Sequence, residues 1–287
     1  MLQIVQKEFW KDFVLPVKSC PLCGSKKNEI KFIVSDAFIN LTGEIVKCKE
    51  CSFVYSGSQL SNEAYQIYYN HKYKYSNYSF YSVFSEIRKN HYIRVLNRIN
   101  SKIDFNEKRL LDLGCGNGIL LEIAKSLGFE VVGVDLSEEA IKMCKSDIDK
   151  IYCCDLNHID TLNLGKFDVI TLFDVLDHVK NPNRIVELVY AHLKIGGLCY
   201  IEVNNINSFY AKLMRHHNPH LQPYEHQSYF SVKTLKKLLE EKGFSDVIVW
   251  SGVRKINYNY LEMTMKSCGR KIGRLFRVFN SILLSIS

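Results

Sequence analysis

Between Asp112 and Gly118 the chain reads Asp-Leu-Gly-Cys-Gly-Asn-Gly, after the apolar pair Leu110-Leu111 and before a helical pattern that starts at Ile119. Glycine at every second position lets the backbone turn sharply and approach a ligand with no Cβ in the way. Gly114, Cys115, Gly116, Asn117 and Gly118 are therefore candidate ligand-loop residues, with Asp112 beside them at the strand end. A dinucleotide loop has the spacing G-x-G-x-x-G. The spacing here, D-x-G-x-G-x-G, points instead to another nucleoside-type ligand. Two further acids end later apolar runs. Asp135, followed by Leu136, is placed to accept from two ribose hydroxyls. Asp155 is placed to accept from an exocyclic amine, with Leu156 packing on the base. Phe173 ends a fourth run at the same edge.

Cys20, Cys23, Cys48 and Cys51 form two C-x-x-C pairs. Two thiolate pairs on tight knuckles fill the four positions of a tetrahedral zinc with none left open, which makes such a site structural. Four unrelated buried thiols are the alternative.

These residues need elements to position them. Short apolar segments alternate with helical patterns: Arg109–Leu113, Glu130–Val134, Lys150–Cys154, Phe167–Phe173 and Leu198–Val203 as strands, with helices from Ile119, Ser137 and Asn183 between them. Such alternation implies a parallel sheet covered on both faces, with ligands at its carboxyl edge. A helix over Val232–Lys242 and a strand over Val247–Trp250 follow an irregular insertion at 204–230. The reading divides the chain into a cysteine-bearing module at 1–58, a Tyr-rich connector and helix at 59–104, the α/β domain at 105–262 and a tail at 263–287. The connector serves either as a lid or as packing on the core.

The chain has 287 residues, ten cysteines and a formal net charge of +8. That charge is too small and too scattered for a nucleic-acid binder, which needs basic residues clustered on one face. Lys7, Glu8, Lys11 and Asp12 interrupt any apolar signal region, and the cysteine placement fits a reducing, cytoplasmic location. In the tail, Arg270, Lys271, Arg274 and Arg277 alternate with Ile272, Leu275, Phe276 and Phe279. A helix of this kind lies on an anionic membrane surface, here the inner face, or packs on the domain or a second copy.

The strings LDLGCGNG, VVGVDLS, CCDL, FDVITLFDVLDHV and LKIGGLCYIEV together resemble the class I S-adenosylmethionine-dependent methyltransferases. The resemblance implies a Rossmann-like α/β fold, with a mostly parallel seven-stranded sheet and helices on both faces, and S-adenosylmethionine as cofactor. Asp177 stands where relatives often carry Glu before the His. A narrower resemblance, to zinc-bearing sugar methyltransferases, lies in the layout of a cysteine-rich N-terminus, a Tyr-rich connector and a methyltransferase core. It implies a zinc-ribbon-like module, and Tyr224, Glu225, His226 and His178 match in kind the catalytic residues of members that methylate a ring carbon. Histidine suits the role of base because its ordinary pKa lies near working pH. The acceptor implied is a small molecule: a sugar, nucleotide-sugar or surface-glycan precursor, methylated on oxygen with His178 or His226 as base. C-methylation of a keto-deoxysugar nucleotide is the alternative, and a non-catalytic binding protein on the same fold is another. Asp174-Val175-Leu176-Asp177 stands where a nucleic-acid methyltransferase carries a Pro-Pro-Tyr-type motif, so nucleic acid is not an expected partner.

Overall fold

The structure is a computed structural model that describes residues 7–75, 78–103, 108–144, 148, 150–249 and 251. The N-terminal part opens with α1 (Lys7–Lys11) and β1 (Val14–Pro16), followed by β2 (Asn28–Ser35), β3 (Thr42–Cys48), β4 (Val54–Ser56) and β5 (Ser58–Leu60). Strands β2, β3 and β4 form an antiparallel sheet, and β1 pairs separately with β5. Two helices follow, α2 (Asn62–Tyr75) and α3 (Tyr78–Asn100). The Tyr-rich run is thus itself helical. Its tyrosines recur three and four residues apart, the spacing that puts side chains on one helix face.

The central sheet contains β6 (Lys108–Leu113), β7 (Phe129–Asp135), β8 (Ile151–Cys153), β9 (Phe167–Phe173) and β10 (Leu193–Glu202). Its order is β10-β9-β6-β7-β8, and every pairing is parallel. Side chains alternate across it as a pleat of period two requires. Leu111, Leu113, Val132, Val134, Ile170 and Leu172 enter one core, whereas Leu110, Val131, Val169 and Phe173 enter the other. Helix α4 (Ile119–Ser126) lies between β6 and β7, α5 (Glu138–Ile141) after β7, and α6 (Pro182–His192) between β9 and β10. Residues of α3 and α4 fill the second core; those of α6 fill the first, together with Cys20, Cys48 and Phe53 of the N-terminal part. The fold is the expected Rossmann-like one, with helices on both faces.

After β10 come α7 (Phe209–Met214), β11 (Ser228–Tyr229) and α8 (Val232–Glu241). Strand β11, inside the irregular insertion, pairs with β4 and so becomes the edge of the N-terminal sheet. One expectation is corrected: residues 247–249 are not in a strand. Among the described residues the central sheet has five strands. Phe244, Val247 and Val249 pack on the core as an irregular segment. The basic tail at 263–287 lies outside the described residues. Among the described residues no helix is long and apolar enough to cross a membrane.

Candidate active site

The glycine loop leaves β6 with Gly114 at φ 76°, Gly116 at 55° and Gly118 at 77°, all in the left-handed region. Gly114 is confined as well: a Cβ there would stand 2.3 Å from Val175 Cγ2. Cys115 turns inward, and its sulfur would lie 2.8 Å from a Cβ on Gly133. Asn117 is half-buried, at the turn before Gly118 caps α4.

Asp112 is buried, and its Oδ1 accepts from Thr171 Oγ1 at 2.7 Å. Burial pushes its carboxyl up to about 7, against the Thr171 hydrogen bond and with help from the nearby Asp135 charge. Asp135 is buried too. Its Oδ2 accepts from the Gly116 N–H at 2.8 Å and its Oδ1 from the Ser137 N–H at 2.9 Å, so it braces the glycine loop from the end of β7. Asp155 caps the 3₁₀ turn that follows β8, and Leu156 starts that turn and is buried in the first core. Leu136, Cys153, Cys154 and Asp155 face Asn62 and Gln66 of α2 across a cleft of about 230 Å³. Farther along α2, the Tyr73 hydroxyl would sit 3.2 Å from a Cβ on Gly116. The Tyr-rich helix therefore covers the carboxyl edge of β6, β7 and β8. Asp155 lines that cleft, and Asp112 and Asp135 flank the glycine loop beside it; carboxylate acceptors next to a glycine loop suit a nucleoside-bearing cofactor. Phe173 faces elsewhere: its ring packs on Tyr92 of α3 and Tyr200 of β10, with centroids 4.8 and 4.9 Å away.

The turn after β9 carries Val175 against Gly114 and continues directly into Asp177 and His178. His178 Nδ1 lies 2.7 Å from the Tyr69 hydroxyl, and Tyr65 donates to the His178 carbonyl. The His178 and His226 rings are 4.4 Å apart. Asp177, 1% exposed, lies between them, 3.8 Å from Nε2 of each, and its Oδ2 accepts from Asn204 Nδ2 at 3.1 Å. Burial raises Asp177 to about 6 although His226 opposes the shift, and burial lowers both histidines below their ordinary value. Glu225 behaves oppositely. Burial would raise it, but Lys72, His226 and His178 together hold it well below the usual carboxylate range. It forms an ion pair with Lys72 and accepts from the Tyr68 hydroxyl at 3.3 Å.

The structure thus brings His178, Glu225 and His226 together and separates Tyr224 from them. Tyr224 is buried among Trp10, Ile39 and Leu60, and its hydroxyl donates to the Thr42 carbonyl at 3.0 Å. Sequence reasoning missed Tyr65, Tyr69 and Lys72. Their signal was present in the four-residue steps Tyr65–Tyr69 and Tyr68–Lys72, which align side chains on a helix.

Away from this cluster, the four cysteine sulfurs gather at the N-terminal knuckles. Cys20 and Cys51 are 3.6 Å apart, Cys23 and Cys48 3.5 Å, and all four lie within 4.8 Å of one another. Sulfurs about 2.3 Å from a tetrahedral zinc are about 3.8 Å apart, so the set fits such an ion.

A glycine loop braced by Asp135, a cleft lined by Asp155 and a histidine cluster on the turn after β9 thus stand together at the carboxyl edge of an α/β domain. Residues 84–249 match the family model described as "Methyltransferase domain", and the chain belongs to that family. A ubiquinone biosynthesis O-methyltransferase of Coxiella burnetii is 34% identical over 117 residues, 39% of this chain and 50% of that protein. Its namesake in Bordetella avium is 33% identical over 106 residues, covering 35% of this chain and 44% of that protein. The chain therefore spans about half the length of the curated relatives it matches. Among solved structures, the plantazolicin methyltransferase BamL, determined with a desmethyl analogue and SAH, aligns at 22% identity with a TM-score of 0.50. That alignment covers 63% of this chain and 73% of BamL, and it speaks for the fold alone.

Proposed function

We propose that this chain is an S-adenosylmethionine-dependent methyltransferase acting on a hydroxyl of a small molecule. The cofactor supplies a sulfonium-bound methyl group. The residues proposed to hold it are Asp112, the glycine loop from Gly114 to Gly118, Asp135 with Leu136, and Asp155 with Leu156; Phe173 supports the strand end from behind. The observation that carries the proposal is the turn after β9: Val175 packs on Gly114 while His178, three residues on, meets Tyr69 and His226. Methyl donor and acceptor sites therefore adjoin, which alignment for in-line transfer demands.

His178 is the proposed base. With its proton on Nδ1 toward Tyr69, its Nε2 keeps a lone pair, and burial keeps the ring neutral. His226 and Asp177 would steady the imidazolium that forms. Glu225, held ionised by Lys72, orients the tyrosine face of α2. The relatives' names support oxygen as the acceptor atom. A sugar-containing acceptor is proposed solely on the resemblance in layout noted in the sequence: cysteine-rich N-terminus, Tyr-rich connector and Glu225-His226. Cys20, Cys23, Cys48 and Cys51 are proposed to hold a structural zinc, and residues 1–58, 59–104, 105–262 and 263–287 to be the units of the chain.

The test combines calorimetry with methyl transfer. S-adenosylmethionine should bind the protein, and Asp135→Ala should weaken binding at least tenfold. Labelled methyl should then pass to one member of a panel of nucleotide-sugars and phenols, with NMR separating O- from C-methyl products. Absence of cofactor binding by the intact protein would reject the enzyme reading in favour of a binding protein.

A further inference from the structure

Asp177 holds an unpaired atom at the centre of the histidine cluster. Its Oδ1 is buried, makes no hydrogen bond, and lies 3.8 Å from His178 Nε2, too far for one. His226 Nε2 stands equally far from Oδ2 on the other side. Buried polar atoms are nearly always paired, so such an orphan calls for an explanation. One ligand atom from each of Asp177, His178 and His226 falls within 4.8 Å of the others. Two atoms each about 2.1 Å from one cation are about 3.0 to 3.4 Å apart in octahedral or tetrahedral geometry, so side-chain shifts of well under 1.5 Å close the set.

We propose that Asp177, His178 and His226 bind a divalent transition-metal cation. The inference rests on the reading that this cluster serves the acceptor and changes one role in it. With the cation bound, His178 Nε2 is a ligand. The cation, in place of the imidazole, would lower the pKa of the acceptor hydroxyl, whose proton passes to solvent. Two imidazoles and one carboxylate suit zinc, iron(II) or cobalt(II), and they leave coordination positions open. Those positions would take an acceptor oxygen, so the preferred acceptor carries a hydroxyl able to bind a metal. The outer partners are also in place. Tyr69 meets His178 Nδ1, which leaves Nε2 to the cation, and Asn204 holds Asp177 Oδ2. Imidazole and carboxylate ligands are ordinarily oriented by such neighbours. The four-cysteine site differs in kind, since its sulfurs close all four positions.

The test uses the full chain carrying one equivalent of zinc, titrated with Co²⁺ alone by calorimetry and by electron paramagnetic resonance. The expected result is one Co²⁺ per chain with nitrogen hyperfine coupling, a readout that needs no variant. Asp177→Asn and His226→Gln should each weaken uptake at least tenfold. The exposed His216 and His217, whose rings are 3.8 Å apart, are a rival surface site. Replacing both with Gln should leave uptake unchanged. No Co²⁺ uptake by the zinc-loaded protein, or uptake lost with His216 and His217, overturns the proposal. Methyl transfer that persists with no second cation would retain the methyltransferase reading and reject the cation. Co²⁺ uptake at Asp177 and His226 without transfer to any oxygen acceptor would do the reverse.

Discussion

The Ser56 hydroxyl donates to the Pro223 carbonyl at 2.7 Å, joining the strand after the second cysteine pair to the loop that carries Glu225 and His226. Both residues are remote from the glycine loop in sequence. The same hydroxyl lies 3.0 Å from the His226 carbonyl, and the Ser56 N–H donates to the Gln227 carbonyl at 3.1 Å. The cysteine knuckles dock independently as well, because Asn183 Nδ2 donates to the carbonyls of Pro21 and Leu22 at 2.6 and 3.0 Å. The N-terminal sheet therefore sets the height of the histidine loop above the central sheet.

Metal removal from the cysteine site should for this reason affect the histidine loop more than the cofactor cradle. Complete chelation of zinc, or Cys20→Ser, should lower Tm by more than about 5 °C, since a structural zinc contributes folding free energy directly. Methyl transfer should fall at least tenfold while S-adenosylmethionine affinity changes less than threefold. Scanning calorimetry and binding titration check this. An unchanged Tm after metal analysis shows no zinc would reject the structural role.

Tyr69→Phe removes one hydroxyl from His178 Nδ1 and leaves the ring packing on Tyr65 and Tyr68. The stability cost should be about 1 to 3 kcal/mol, the net value of the two hydrogen bonds this hydroxyl makes, to His178 and to the Tyr65 hydroxyl. The rate cost should be larger, about tenfold in kcat, because the imidazole loses its fixed orientation. Cofactor affinity should hold. Steady-state kinetics on Tyr69→Phe, read beside the Tm of the same variant, separates this effect from a general loosening of α2.

Asp112 supplies the pH dependence. Its folded-state pKa of about 7 lies above the ordinary 3.8, so the cofactor-free folded protein holds a proton that the unfolded chain gives up. The stability this contributes is full below the ordinary value and is lost as pH rises through 7. A cationic cofactor prefers the ionised carboxylate, so its affinity should move the opposite way. Binding should strengthen by up to about tenfold between pH 6 and pH 8, the ratio of ionised Asp112 at those values. Asp112→Asn should bind more weakly and show a flat profile. Calorimetric titrations at three pH values decide it.

The parts of the fold that were legible in the sequence are those whose pattern is local. Phe167–Phe173 was found to the residue because seven buried positions in a row make a central parallel strand. The helix start at Ser137 is legible because the Ser137 side chain accepts from Ala140 N, an interaction within three residues. The positions of the glycine loop and its three acids were legible for the same reason, each lying near or just past the end of a strand. What stayed hidden depends on distant partners. The pairing of β11 with β4 joins residues more than 170 apart in sequence. Tyr224 looked like part of the Glu225-His226 cluster, yet its neighbours are Thr42 and Trp10. Lys72 meets Glu225 only because α2 lies across the sheet edge, and no spacing in the chain reports that.

Gly114→Ala tests whether the cradle is as tight as its geometry indicates. At φ 76° an added Cβ meets left-handed strain of about 1 to 2 kcal/mol. The same Cβ would stand 2.3 Å from Val175 Cγ2, closer than atoms approach, so either Val175 or the loop must move. Overpacking of this kind adds about 1 to 3 kcal/mol. Together these should lower Tm by several degrees, at about 2 to 4 °C per kcal/mol for a domain of this size. Val175→Ala in the same chain removes the steric part and leaves the strain. The double variant should therefore recover part of the lost Tm, while cofactor binding stays weak because the loop backbone is still displaced. Full recovery of binding in the double variant would show that Val175 alone sets the approach and that the left-handed turn at Gly114 matters little.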